Sequence, residues 1–478
     1  MTRSVVRTTT GPVSGPVVAG VRRWRGIPYA TAERFGPARP VAGWTVELDA
    51  ARPGPVAVQV LPDGPLTGTE DCLTLDVYAP AEATGPLPVL FWVHGGAFLT
   101  GAAADYDGSH LAARGPAVVV AVSYRLGPFG FLQLGTAERP EPSPAMTDLV
   151  AALDWVAREI DAFGGDPTRL TLVGQSAGAS LVCALLATDA GGRARAAIAL
   201  SVGGQPVEAA ESAEVTARVL AELGVDRTGL AALPAETITA ASRAVSREST
   251  AVGGAIYAPV LDGAVVRAQP RDLAAAGELR GTALWFGSCR EEMAGFLAGG
   301  ADVPIAAARA RVGEGTFDRL LEVYRRTAGA GEDPLQALLT DEMWVRPAWD
   351  MAQAQAAAGG GAWVSRFDHA PSLPPFDVLG PTHGADNACL WAHPPGFLER
   401  PLLRRPGGPM ADADLTVTAA LLDSVLAVVR GGTPATGVLA GWQPYAPADR
   451  CTAIFDATPV VRPDPDPERR RAWVRVAG

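Results

Sequence analysis

The chain has 478 residues, 48% of them hydrophobic and 19% charged, a balance that buries a large core and excludes a disordered or low-complexity protein. Its net charge of −11 gives a surface that repels polyanions, so no nucleic-acid partner is expected. No window approaches the roughly 18 consecutive apolar residues of a membrane span. The opening MTRSVVRTTTGPVSG also lacks the apolar stretch of a secretory signal, so a cytoplasmic location is expected. Five cysteines (Cys72, Cys183, Cys289, Cys389 and Cys451) are odd in number and scattered without a C-x-x-C pair. That argues against a disulfide framework or a zinc site and for buried free thiols.

Short apolar, β-branched runs alternate along the chain with longer Ala- and Leu-rich segments, the pattern of an α/β protein with a parallel sheet covered on both faces. The first clear strand is 88–93 (PVLFWV). It runs into His94-Gly95-Gly96-Ala97-Phe98, where small residues let the backbone turn its N–H groups toward a reacting centre. The next strand is 117–123 (AVVVAVS), and helical periodicity covers 148–163.

Strand 169–173 (RLTLV) then leads into Gly174-Gln175-Ser176-Ala177-Gly178, followed at once by an apolar helix. This is a G-x-S-x-G elbow in its required strand–turn–helix setting. The tight turn leaves no room for side chains at 174 and 178, and it lifts the Ser176 hydroxyl above the sheet beside a helix N-terminus. Ser176 is the candidate nucleophile. The N–H groups of Gly96, Ala97 and Ala177 are the candidate donors for an oxyanion.

A strand at 196–200 follows, then a helical stretch over 205–280 and a strand at 282–286 (TALWF). The segment Cys289-Arg290-Glu291-Glu292-Met293 just beyond it offers Glu291 or Glu292 as the acid that would orient a histidine. Asp262 is a rival, although its D-G context marks a turn. A second helical stretch covers 305–358, and a Gly359-Gly360-Gly361 turn opens a strand at 362–367.

The order Ser, acid, histidine sets aside His94 and His110, which precede Ser176, and leaves His369, His383 and His393. Spacing favours His383, in the loop Gly380-Pro381-Thr382-His383-Gly384-Ala385-Asp386. Near the end, Arg469 to Arg471 follow an acidic run and suit a solvated helix start.

These motifs together resemble the type-B carboxylesterase family, nearly end to end. Trp24-Arg25-Gly26-Ile27-Pro28-Tyr29-Ala30 with Arg34-Phe35 is similar to the family's opening, and Glu70-Asp71-Cys72-Leu73-Thr74-Leu75-Asp76-Val77 to its E-D-C-L signature. Ser123-Tyr124-Arg125-Leu126-Gly127, Phe163-Gly164-Gly165-Asp166-Pro167 and the serine elbow follow in the family's order.

The resemblance implies an α/β-hydrolase fold: one domain over 1–478, its mostly parallel sheet covered by helices, with helical insertions at about 205–280 and 305–358 over the active site. It implies Ser176, Glu292 and His383 as the catalytic triad, and an oxyanion hole at Gly96, Ala97 and Ala177. Hydrolysis of small-molecule carboxylic esters through an acyl-enzyme follows, with no metal and no organic cofactor.

The chain departs from the family pattern at several points. Ala97 replaces a glycine but still supplies an N–H. Gln175 stands where many members have Glu, removing a charge beside the nucleophile. Cys72 has no upstream partner for the disulfide of secreted relatives. Asn387-Ala388-Cys389-Leu390-Trp391 replaces the run that usually follows the histidine.

Overall fold

The computed structural model describes residues 2–61, 64–83, 85–249, 255–298, 302–391 and 411–477. Among these, thirteen strands form one central sheet. Its first part is an antiparallel entry that the apolar-run criterion did not single out: β1 (Arg3–Arg7), β2 (Pro12–Val18), β3 (Val21–Pro28) and β4 (Thr74–Pro80). The first three mix exposed and buried positions, as an antiparallel sheet with one wet face does. A short piece, Leu48–Asp49, pairs beside β2.

The remaining strands are β5 (Leu87–Val93), β6 (Val118–Val122), β7 (Gly165–Gln175), β8 (Ala196–Leu200), β9 (Ala283–Cys289), β10 (Ala362–Phe367), β11 (Cys451–Phe455) and β12 (Val460–Pro463). In space they run β4–β6–β5–β7–β8–β9–β10–β11–β12. Every pair from β6 to β11 is parallel, and the last pair is antiparallel. All six predicted strands are present. β7 and β9 run further than expected at their C-terminal ends, and those extensions carry the chain to Ser176 and toward Glu292.

The continuous apolar runs have their cause in the layering. Val89, Phe91 and Val93 of β5 belong to one core, with α1 (Pro144–Glu159) and α2 (Ala177–Leu186). Leu90 and Trp92 of the same strand belong to a second core, on the opposite face, with the long helix α10 (Asp412–Gly431). Because successive residues point to opposite sides and both sides are covered, neither face can be polar.

The stretch 205–280 contains α3 (Ala209–Leu223), α4 (Ala235–Arg247) and α5 (Pro270–Ala276). It is not helical throughout: Val207–Glu208 and Val260–Leu261 pair as a short parallel ribbon that ties its start to its middle. The second stretch holds α6 (Asp302–Val312), α7 (Glu314–Thr327), α8 (Pro334–Thr340), a π-helical turn at Asp341–Val345, and α9 (Arg346–Ala357). A third core, containing Phe317, Leu320, Tyr324, Trp344 and Trp473, joins this stretch to the C-terminal helix α11 (Pro467–Ala477).

The helix start expected at Arg469 to Arg471 is present and Arg471 is exposed, but Arg469 departs from the solvated reading. Arg469 is buried, donating to both Glu332 oxygens at 2.8 and 2.6 Å and lying over the Tyr324 ring. Its partner is 137 positions away, so local charge pattern could not reveal it.

Several short motifs are structural ties. Asp76 accepts the Gly26 N–H at 2.7 Å and Arg25 Nε at 2.9 Å, clamping β3 to β4. Arg25 thereby compensates a carboxylate that burial pushes up. Arg125, in the loop after β6, forks onto buried Asp148 of α1 at 2.6 and 2.9 Å. All five cysteines are buried and unpaired. No helix among the described residues is long and apolar enough to cross a membrane.

Candidate active site

The C-terminal ends of the parallel strands converge, as they do wherever an α/β sheet builds a site. β7 ends at Gln175, and Ser176 follows with φ 58° and ψ −128° before α2 begins at Ala177. A side chain with positive φ costs of order 1–3 kcal/mol. The turn is held in place by the Ser176 N–H, which donates to Leu200 O of β8 at 2.9 Å. Gly178 is required by proximity: a Cβ there would run into the Val93 carbonyl and come within 2.7 Å of His94 O.

The loop after β5 packs directly on this turn. A Cβ on Gly95 would stand 2.7 Å from Gln175 O and 3.1 Å from the Ser176 Cβ. Gly96, Ala97 and Phe98 then take positive φ of 111°, 55° and 62°. Among the described residues, the Gly96 and Ala97 N–H groups donate to no backbone or side-chain acceptor. Ala177 is the first residue of α2, so its N–H has no partner within the helix. Three donors are thus left at the rim beside Ser176.

His383 lies across from the serine. Its Nε2 is 2.8 Å from Ser176 Oγ, and its Nδ1 is 2.6 Å from Glu292 Oε2. An ionised carboxylate can only accept, so Nδ1 carries the proton and Nε2 is left to accept from the serine hydroxyl. Glu292 is fully buried, and its other oxygen accepts the Cys289 N–H at 2.7 Å. The loop bearing His383 is fastened to the segment bearing Glu292: Glu291 N–H donates to Pro381 O at 3.0 Å, and Thr382 Oγ1 accepts from the Gly295 N–H at 3.0 Å.

The structure brings Ser176, Glu292 and His383 together and leaves their rivals elsewhere. Glu291 contributes its backbone to the loop contact. Asp262 accepts the N–H groups of Ala264, Val265 and Val266 and closes a turn. His369 pairs with Asp414 at 2.7 Å, and His110 with Leu390 O at 2.8 Å. His94 is buried beneath the loop after β5, stacked on Tyr124, and burial pushes it down to about 4. His393 lies outside the described residues.

Other groups complete the site, of which the sequence pattern singles out Gln175 but not the side chains that flank the imidazole. Asp386, one turn beyond His383, is fully buried; desolvation and the Glu292 charge push it up to about 7, against the pull of His383. Gln175 Nε2 sits 3.4 Å from His383 Nε2. Phe296 and Trp344 flank the imidazole, each with its ring centroid at 5.4 Å. Trp344 is delivered by the π-helical turn, a device common at functional sites. A cavity of about 310 Å³ opens above Ser176, with Phe98, Val207, Ile256, Met343 and Trp344 among its apolar lining. Arg311 lies in the same wall, forked onto Glu342 at 2.8 and 2.6 Å.

An elbow serine at the end of a central parallel strand, beside a histidine held by a buried glutamate, defines the α/β-hydrolase class. Within it, the chain belongs to the carboxylesterase family, whose profile it matches over residues 2–471. It is 32% identical to a para-nitrobenzyl esterase of Bacillus subtilis (strain 168), with 98% of each chain covered. It is 31% identical to a cocaine esterase of Oryctolagus cuniculus over 77% of this chain and 78% of the relative. Among solved structures it resembles a PNB esterase with TM-score 0.85 at 30% identity, covering 98% and 99% of the two chains. It also resembles the carboxylesterase EST55 of Geobacillus stearothermophilus, with TM-score 0.84 at 31% identity and the same coverage. The protein is a serine-dependent carboxylic ester hydrolase.

Proposed function

We propose that Ser176 is the nucleophile, His383 the general base and acid, and Glu292 the residue that orients and charge-stabilises the imidazole. The reading is carried by the unbroken hydrogen-bonded chain from Ser176 Oγ through both ring nitrogens to a fully buried carboxylate. His383 takes the serine proton as Oγ attacks the ester carbonyl, and the oxyanion rests on the N–H groups of Gly96, Ala97 and Ala177. The alcohol leaves with the proton from His383. Water, deprotonated by the same ring, then hydrolyses the acyl-enzyme. Small, largely apolar esters suit the cavity, among them p-nitrobenzyl esters, for which a relative is named.

In this reading 1–478 is one hydrolase domain, and 205–280 and 305–358 are insertions that wall the cavity. Support comes from one apolar core whose members run from Val13 to Tyr445. A cytoplasmic location is supported by five unpaired, buried cysteines.

The test is labelling with a fluorophosphonate, together with hydrolysis of p-nitrophenyl acetate and butyrate. Ser176→Ala is expected to abolish labelling and to lower kcat by about 10⁴-fold or more. Labelling that survives in Ser176→Ala would remove the serine from its role.

A further inference from the structure

The end of the sheet remote from Ser176 carries a concave site that ester hydrolysis does not use. A cavity of about 500 Å³ lies where β7, β8, β9 and β10 begin, and the last turn of α10 forms part of its wall. Four arginines line it: Arg169, Arg195, Arg280 and Arg430. Among the described residues no Asp or Glu does, although 51 acidic residues outnumber 40 basic ones in the whole chain. Placement by chance would give this wall more carboxylates than guanidiniums.

The strand register gathers the arginines. Arg195 N–H donates to Leu170 O at 2.9 Å, and Arg195 O accepts the Ala283 N–H at 2.9 Å. The start of β8 therefore lies between the segments bearing Arg169 and Arg280. Arg169 Nη2 donates to Arg430 O at 3.3 Å, which brings its guanidinium to the end of α10. Arg280 Nε donates to Ala358 O. A guanidinium carries five N–H donors. Among the described residues, the four side chains make no other hydrogen bond and no ion pair. Arg195, Arg280 and Arg430 are exposed and Arg169 is half-buried, so the spare donors are open to a ligand.

Asp166 is the carboxylate that Arg169 and Arg195 both act on, and its Oδ1 already accepts the Thr168 hydroxyl and N–H at 2.7 and 2.9 Å. One carboxylate against four guanidiniums leaves the cavity positive. Like charges gathered this way repel one another, and an entering anion relieves the repulsion. The planar guanidinium fork matches the oxygens of a phosphate. The volume falls in the range of small-molecule sites, with room for more than one phosphate. The net charge of −11 repels a nucleic acid or an anionic membrane from the surface around it, which favours a small ligand over an extended one.

We propose that this cavity binds a small molecule carrying two or more linked phosphate groups. Equilibrium dialysis of the full chain against pyrophosphate and against ADP tests it, at about 0.15 M salt, where attraction between distant exposed charges is screened. The expected result is one equivalent bound. Binding of both probes assigns recognition to the phosphates, and binding of ADP alone adds the nucleoside. Binding of neither overturns the proposal.

Arg195→Gln and Arg430→Gln are each expected to raise Kd about ten-fold or more, the loss of a charge-assisted hydrogen bond. Both side chains are exposed and far from the serine, so each variant keeps its p-nitrophenyl butyrate turnover. Arg247→Gln removes the same charge from an exposed position in α4, outside the cavity, and leaves Kd unchanged. An equal weakening in all three variants, or none in the two cavity variants, overturns the site. Because the cavity lies apart from Ser176, its failure leaves the nucleophile assignment standing.

Discussion

Ser176, Glu292 and His383 meet in one site, yet they differ in how far the local sequence could speak for them. Ser176 announces itself, because its glycine neighbours, the preceding strand and the following helix are all contiguous. The partners do not. Order along the chain left three candidate acids and three histidines; the family resemblance pointed to Glu292 and His383, and in the fold Glu292 reaches the imidazole while the backbone of Glu291 serves the His383 loop. Glu292→Gln is accordingly expected to lower kcat about 10³–10⁴-fold by favouring the wrong tautomer, whereas Glu291→Gln leaves the His383 ring with its partner and falls far less. Equal losses in the two variants would contradict the assignment.

Asp386 adds a dependence on pH. Its ordinary value is 3.8, and in the folded chain it is pushed up to about 7 by burial and by Glu292. Between those values the folded state holds a proton that the unfolded chain has lost, so stability falls as pH rises through the window. Asp386→Asn removes that proton uptake. Its Tm relative to wild type is expected to be several degrees higher at pH 8 than at pH 5. A difference independent of pH would show that Asp386 does not hold the proton.

At the scale of elements, the parallel strands were legible because both of their faces are buried. Val89, Phe91 and Leu90, Trp92 serve opposite cores, which makes the run continuous rather than alternating. The antiparallel entry β1–β3 was not, since its partly exposed positions give a weaker signal over short lengths. The π-helical turn that delivers Trp344 was also hidden, because no residue type marks the insertion of a residue into a helix. Close packing of β5 against α2 is a further demand that only a glycine meets. Gly178→Ala drives a methyl into the Val93 carbonyl, so a lowered Tm is expected, with kcat reduced because the same contact seats the loop after β5 against the serine turn. An unchanged Tm would mean that the helix can shift without cost.

Across the whole molecule, long-range ties decide what local pattern cannot. Arg469 looked like surface charge among its neighbours, but it fastens α11 to the stretch that carries Trp344. Glu332 is drawn down to about 2 by Arg469, against desolvation that pushes it up. Its contribution to stability is therefore full above its ordinary value of 4.5 and is lost as pH falls toward 2. Arg469→Ala is expected to cost about 3 kcal/mol at pH 7, read by urea unfolding. A loss below 0.5 kcal/mol, as for an exposed pair, would refute the tie. The thiols give another global measure: a maleimide should leave the folded protein unmodified and add five groups once it is unfolded, matching the five buried cysteines.

The division of labour between the sheet and the helical stretches has a consequence for how such a protein can change. The residues around the serine hang from the ends of central strands, while much of the chamber that receives the substrate hangs from two excursions of the chain. A graft could exchange those excursions between relatives as cassettes, leaving the machinery intact while rewriting which molecules it accepts. The seams for such a graft are the points where each excursion leaves and rejoins the sheet, and the C-terminal helix would have to travel with the second cassette.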